Sequence, residues 1–174
     1  MATFLSLLIS ALLVGVDQIT KFLAVEYLKG QAPIPLWPDV FELQYCENPG
    51  VAFSMLEHQS WVFVPLTVLL MGAITVVLIR SKLCTHPVFR VSCLLILAGG
   101  IGNLIDRVLL GYVVDFLYFK LIDFPIFNFA DCCVVIGAVL LVVYLLFVYK
   151  DTDESLTAQL FGLKKRTKEN EDVG

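Results

Sequence analysis

Residues 61–79 read WVFVPLTVLLMGAITVVLI, nineteen residues without one charge. As a helix rising 1.5 Å per residue, this run is about 28 Å long, close to the hydrocarbon thickness of a bilayer. Three more apolar runs lie on either side of it. Upstream, residues 4–16 continue through Asp17-Gln18-Ile19-Thr20-Lys21 to Val25. Downstream come residues 91–105, which Val88 and Phe89 can extend, and residues 130–149. The whole chain agrees with a membrane reading. Of its 174 residues 59% are apolar and 16% charged, with a mean hydropathy of +0.86. A soluble domain is nearer half apolar and a quarter charged. A signal peptide would want a basic flank, but nothing before residue 17 is basic and the run continues past its polar residues, so it reads as a retained helix of about 20 residues. The expectation is an α-helical membrane protein with four transmembrane helices. They form one membrane domain, residues 1–150, followed by a polar cytoplasmic tail, residues 151–174.

Residues 26–60 form a long connection. Pro33, Pro35, Pro38 and Pro49 argue against helix through much of it. Residues 40–45, Val-Phe-Glu-Leu-Gln-Tyr, alternate as a strand does. Asn48-Pro49-Gly50 follows, and alone it reads as an ordinary turn. In the tail, Leu156, Leu160 and Leu163 precede Lys164-Lys165-Arg166-Thr167-Lys168. That pattern fits a short helix on anionic lipid and equally a disordered segment.

Four spans put both termini on one side. Eight basic residues lie on that side (Arg80, Lys82, Arg90, Lys150, Lys164, Lys165, Arg166, Lys168) and four on the other (Lys21, Lys29, Arg107, Lys120). The bias places the termini in the cytoplasm. Five polar features then converge on the outer face: Asp17/Lys21, Asn48-Pro49-Gly50, Asn103/Asp106/Arg107, Asp115 and Asp131.

Each feature also has a structural reading. Asp17 and Lys21 are one helical turn apart and suit an ion pair. Asn103, Asp106 and Arg107 share a helix face and can be a helix-end cluster with an Asp106/Arg107 pair. Asn128 or Asp131 can cap the last helix. Residues 112–119 fit a strand or a helix extension. Against this stands the price of a carboxylate at the edge of a span, which marks it by default as a candidate functional group.

Composition narrows the chemistry. A formal charge of −4 argues against a nucleic-acid partner. Ser- or Cys-type hydrolysis wants a base such as histidine, and His58 and His86 fall on opposite sides, outside the cluster. No zinc spacing or phosphate loop occurs. The five cysteines (Cys46, Cys84, Cys93, Cys132, Cys133) have no metal pattern, and adjacent Cys132 and Cys133 are not geometrically suited to bridge each other. Paired carboxylates remain, of which one keeps a proton while the other takes one from water. A proton-coupled carrier is the main rival, although it would place its acids near the midplane. A structural or assembly subunit is another.

Taken together, Asp17-Gln18-Ile19-Thr20-Lys21, Asn48-Pro49-Gly50-Val51-Ala52-Phe53, the block from Gly99-Gly100 through Asn103 to Asp106-Arg107, Gly111-Tyr112-Val113-Val114-Asp115-Phe116 and Phe127-Asn128-Phe129-Ala130-Asp131 resemble the bacterial lipoprotein signal peptidase family, signal peptidase II. The resemblance runs in order through most of the chain outside the tail. It implies an inner-membrane aspartic endopeptidase with a small extramembrane β-sheet on the periplasmic side and its active site near that face. The substrate would be a lipid-modified prolipoprotein, cut before the cysteine that carries diacylglyceryl. Membrane lipids are the other partner, and no cofactor or metal is implied. By position, Asp115 and Asp131 would be the catalytic pair. Asp17, Lys21, Asn48, Gly50, Asn103, Asp106, Arg107, Asn128 and Ala130 would shape the site and hold substrate. One departure is Cys132, where the family often has serine.

Overall fold

The structure is a computed structural model and describes residues 2–50, 60–80 and 86–149. Residues 51–53, His58, Cys84 and the tail, residues 151–174, lie outside the described residues. Helix α1, Ala2–Leu28, is continuous over 27 residues, longer than the roughly 20 expected. It ends where Gly30 takes φ +74° and Gln31 N–H donates back to the Leu28 carbonyl.

The connection that follows is more ordered than its prolines indicate. Strand β1, Ile34–Trp37, pairs antiparallel with β2, Phe41–Asn48. Pro35 is tolerated because β1 is an edge strand. Helix α2 covers Ser60–Arg80, and α3 covers Pro87–Leu109 with Pro87 in its first turn. Residues 113–118 are a strand, β3, and not an extension of α3. Its Val, Phe and Tyr side chains suit a pleated, half-buried surface. β3 pairs antiparallel with β2, giving the sheet order β1-β2-β3. After a 3₁₀ turn, Lys120–Ile122, helix α4 covers Phe129–Val143 and continues as a π-helical turn, Tyr144–Val148.

Three stretches are long and apolar enough to cross a membrane: Phe4–Leu28, Pro87–Leu109 and Phe129–Val148. Val64–Arg80 of α2 is also apolar but shorter. Their outward faces carry large exposed apolar side chains, among them Leu12, Phe22, Leu69, Val135 and Val139. Faces this apolar suit lipid better than water.

Helix α3 is the centre of the bundle and packs against α1, α2 and α4. Met71, Leu78, Phe89, Leu94, Leu97 and Tyr144 form a core between α2, α3 and α4. A second core joins Ala24 and Leu28 of α1 to Val114 and Phe116 of β3, fixing the sheet on the end of α1. Small residues let α3 and α4 approach closely. A side chain at Gly99 would collide with the Ala130 carbonyl and Val134, and one at Gly102 with Asp17 and Ala130.

Gly99→Ala should therefore lower stability by about 1–3 kcal/mol through overpacking. Gly15→Ala, whose added carbon meets nothing within 4 Å, should leave stability unchanged or raise it. Thermal unfolding in detergent distinguishes the two.

Candidate active site

The sheet register brings the first carboxylate to its partner. Asn48 lies opposite Val113 across the β2–β3 ladder. Its side chain is thus on the same face as Asp115, two residues along, within diagonal reach. Asn48 Nδ2 donates to Asp115 Oδ2 at 2.8 Å.

The second carboxylate arrives through the loop before α4. Phe127 pairs with Leu117 of β3 through reciprocal backbone hydrogen bonds of 2.8 and 3.0 Å. Phe119 stacks on Phe127 at 5.7 Å, and Phe124 meets Phe127 edge-on at 5.8 Å. This pairing sets Asn128 beside Asp115 and starts α4 at the site. Asn128 and Asp131 then form a reciprocal capping box: Asp131 N–H donates to Asn128 Oδ1 at 2.9 Å, and Asn128 N–H to Asp131 Oδ2 at 3.1 Å. The capping expected of these residues is real, and it also delivers Asp131 to the cluster.

Three asparagines present amide N–H groups to the two acids. Asn48 and Asn128 donate to Asp115, the latter at 2.6 Å, and Asn103 Nδ2 donates to Asp131 Oδ1 at 2.8 Å. In each asparagine the oxygen is held by a group that can only donate. Gly50 N–H holds Asn48 Oδ1 at 2.9 Å, the Lys21 ammonium holds Asn103 Oδ1 at 2.9 Å, and Asp131 N–H holds Asn128 Oδ1 at 2.9 Å. An amide with its oxygen so occupied must turn its NH₂ the other way, toward the carboxylate. Gly50 reaches Asn48 with φ +101°, a conformation that favours glycine.

Behind this layer, Lys21 makes ion pairs of 2.9 Å with Asp17 and 3.0 Å with Asp106. The Asp17/Lys21 pair was expected. The Asp106/Arg107 pair was not found in that form, because Asp106 takes its cation from α1. Arg107 stays at the margin, its guanidinium donating to the Asn103 carbonyl at 3.4 Å. Ala130 is fully buried, and its N–H donates to Asp17 Oδ1 at 2.9 Å. One residue outside the expected set also belongs here. Gln18 Nε2 reaches Asp17, Asp106 and the Gly102 carbonyl at 3.1, 3.1 and 3.2 Å. A glutamine beside Asp17 and one turn from Lys21 in an apolar helix was the available signal.

Asp17, Lys21, Asp106 and Asp115 are 1%, 3%, 4% and 1% exposed, so their charges face protein and not water. Burial pushes Asp115 up to about 6, and the Asp131 charge adds to this, against the lowering effects of the Asn48 and Asn128 hydrogen bonds and of Lys21. Asp131 is partly exposed and lines a cavity of about 480 Å³ with Asn48, Phe124, Cys132, Val135 and Ile136. The α4 side of that cavity is the same apolar face that points outward from the bundle. Among the described residues, no group of three His, Cys, Asp or Glu side chains is placed to hold a metal ion.

The sequence and the fold have known relatives. The family model for Signal peptidase (SPase) II matches residues 9–147. A lipoprotein signal peptidase from Streptococcus pyogenes serotype M5 (strain Manfredo) is 41% identical over 138 residues, covering 77% of this chain and 88% of the relative. One from Clostridioides difficile (strain 630) is 40% identical over 143 residues, covering 82% and 95%. A solved structure described as a bacterial membrane enzyme superposes with a TM-score of 0.75 at 32% identity, covering 83% of this chain and 94% of that one. The chain belongs to the signal peptidase II family of peptidases.

Proposed function

We propose that this protein removes the signal peptide from diacylglyceryl-modified prolipoproteins, cleaving before the lipidated cysteine with water activated between Asp115 and Asp131. The observation that carries the reading is the pair itself: two carboxylates at one end of an apolar bundle, each given amide donors of fixed orientation, beside a cavity that reaches the bundle's outward face. We read four spans, with α2 as the second, both termini in the cytoplasm and the sheet and site near the periplasmic face. Residues 1–150 form the peptidase domain and 151–174 its cytoplasmic tail.

The chemistry follows from the environments of the two acids. Asp115, raised to about 6, keeps a proton to higher pH than an ordinary aspartate. Asp131 lies in the first turn of α4 and accepts N–H groups from Asn103 and Asn128. Asp131 takes a proton from water as the water oxygen bonds to the scissile carbonyl carbon, and Asp115 gives its proton to the carbonyl oxygen. The tetrahedral diol then collapses. The C–N bond breaks, the cysteine nitrogen receives a proton from Asp131, and a hydroxyl proton of the diol returns to Asp115. The signal peptide leaves with the new carboxyl group. The apolar segment of the substrate and its acyl chains can remain in the bilayer, because the cavity wall formed by Val135 and Ile136 is part of an outward apolar face. Lys21, Asp17, Asp106, Asn103 and Asn128 shape the site, Asn48 and Gly50 close it from the sheet, and Arg107 lies at its edge.

Purified protein in detergent should cleave a diacylglyceryl-modified prolipoprotein, and Asp115→Asn or Asp131→Asn should each lower kcat by roughly 10²–10⁴-fold with folding retained. Cleavage at the normal rate by both variants would refute the assignment. Asn48→Ala makes a separate prediction. Asn48 stabilises ionised Asp115, so its loss raises the acid further and lets it hold its proton to higher pH. The alkaline limb of the kcat/KM profile should move up by about one pH unit. An unmoved or lowered limb would contradict Asp115 as the acid.

A further inference from the structure

The backbone N–H immediately before each acid of the pair is held by another acid. Ala130 N–H, preceding Asp131, donates to Asp17 Oδ1 at 2.9 Å. Val114 N–H, preceding Asp115, donates to Asp106 Oδ2 at 3.0 Å. Asp17 and Asp106 come from different helices, α1 and α3, and are themselves bridged twice. Lys21 Nζ spans Asp17 Oδ2 and Asp106 Oδ2 at 2.9 and 3.0 Å. Gln18 Nε2 spans Asp17 Oδ2 and Asp106 Oδ1, both at 3.1 Å.

We infer that Asp17, Asp106, Lys21 and Gln18 form a yoke that sets the distance between Asp115 and Asp131, and that Gln18 is a positioning residue of the reaction. The inference rests on the reading of Asp115 and Asp131 as the reacting pair. No single element carries both acids: Asp115 is on β3 and Asp131 on α4, joined by a loop. The Leu117–Phe127 pairing and Asn128 join β3 to the start of α4, and the spacing depends as well on what grips the two elements from outside. The yoke grips each at the residue next to the acid, where a displacement passes directly to the carboxyl group.

The two bridges differ in kind. Lys21 brings the positive charge that two buried carboxylates need, and its three N–H groups meet three acceptors, Asp17, Asp106 and Asn103. Gln18 adds no charge. It supplies a neutral amide that ties the opposite oxygen of Asp106 to Asp17 and also to the α3 backbone at Gly102. Lys21 and the Val114 N–H both meet Oδ2 of Asp106, so neither holds its other oxygen. With Gln18 on Oδ1 both oxygens are held, and the orientation of the carboxylate toward the Val114 N–H is set.

The test is steady-state kinetics on the full chain in detergent with a diacylglyceryl-modified prolipoprotein. Gln18→Met keeps length and removes the donors. Misplacement of reacting groups on the scale of an ångström costs about 100-fold in rate. A partial loosening in Gln18→Met should lower kcat about 10-fold, and Asp106→Ala about 100-fold, both with KM unchanged. Leu78→Ala, a cavity in the distant α2–α3–α4 core, serves as the stability control and should lower the melting temperature with kcat intact. If Asp106→Ala does not fold, Gln18→Met alone decides. Wild-type kcat in Gln18→Met, a parallel rise in KM, or an equal kcat loss in Leu78→Ala would overturn the proposal. Undiminished activity in Asp115→Asn and Asp131→Asn would instead overturn the underlying reading of the pair.

Discussion

The ammonium of Lys21 is the interaction on which the rest of the site depends. It is almost fully buried, and its three acceptors are Asp17, Asp106 and the side-chain oxygen Oδ1 of Asn103. A buried carboxylate without a cation or donors is severely penalised, and removing one member of a buried ion pair typically costs about 3–5 kcal/mol. Lys21 compensates two such groups at once. It also fixes the Asn103 amide so that its NH₂ meets Asp131. One cation on α1 thus links electrostatic balance, helix packing and the orientation of a donor to the pair.

That cation is effective because the bundle lets the helices come close. Gly102 of α3 leaves room for the Asp17 carboxylate and the Ala130 methyl, and Gly99 leaves room for the α4 backbone. Packing between α3 and α4 is therefore tight at the level where the polar groups lie. The sheet completes the arrangement from above. β2 brings Asn48, β3 brings Asp115, and the Leu117–Phe127 pairing turns the chain into α4. Helix, strand and loop each supply one wall, and the remaining side opens as the cavity beside Asp131.

Much of this was legible in the sequence, for physical reasons. Apolar runs of span length identify membrane helices by composition alone, and the polar blocks stand out because charge is rare among them. The i, i+4 spacing of Asp17 and Lys21 foretold their pair. Less legible were contacts between distant segments. Asp106 next to Arg107 looked like a local pair, but the nearer ammonium comes from α1, which only the packing of α1 on α3 reveals. β1 was hidden by its prolines, which an edge strand accommodates. The orientation of the three asparagines depends on donors far away in sequence, and Gln18 carried no charge to draw notice.

The central claim is that Asp115 and Asp131 act as one proton-sharing pair, with the proton on Asp115. Infrared difference spectroscopy on the detergent-solubilised protein, titrated across pH 6, measures this directly through the carbonyl band of a protonated carboxyl group. The account predicts a band that disappears near pH 6, is missing in Asp115→Asn, and titrates at lower pH in Asp131→Asn, where the neighbouring negative charge is gone. A band unaffected by Asp115→Asn, or no protonated carboxyl in that range, would contradict it.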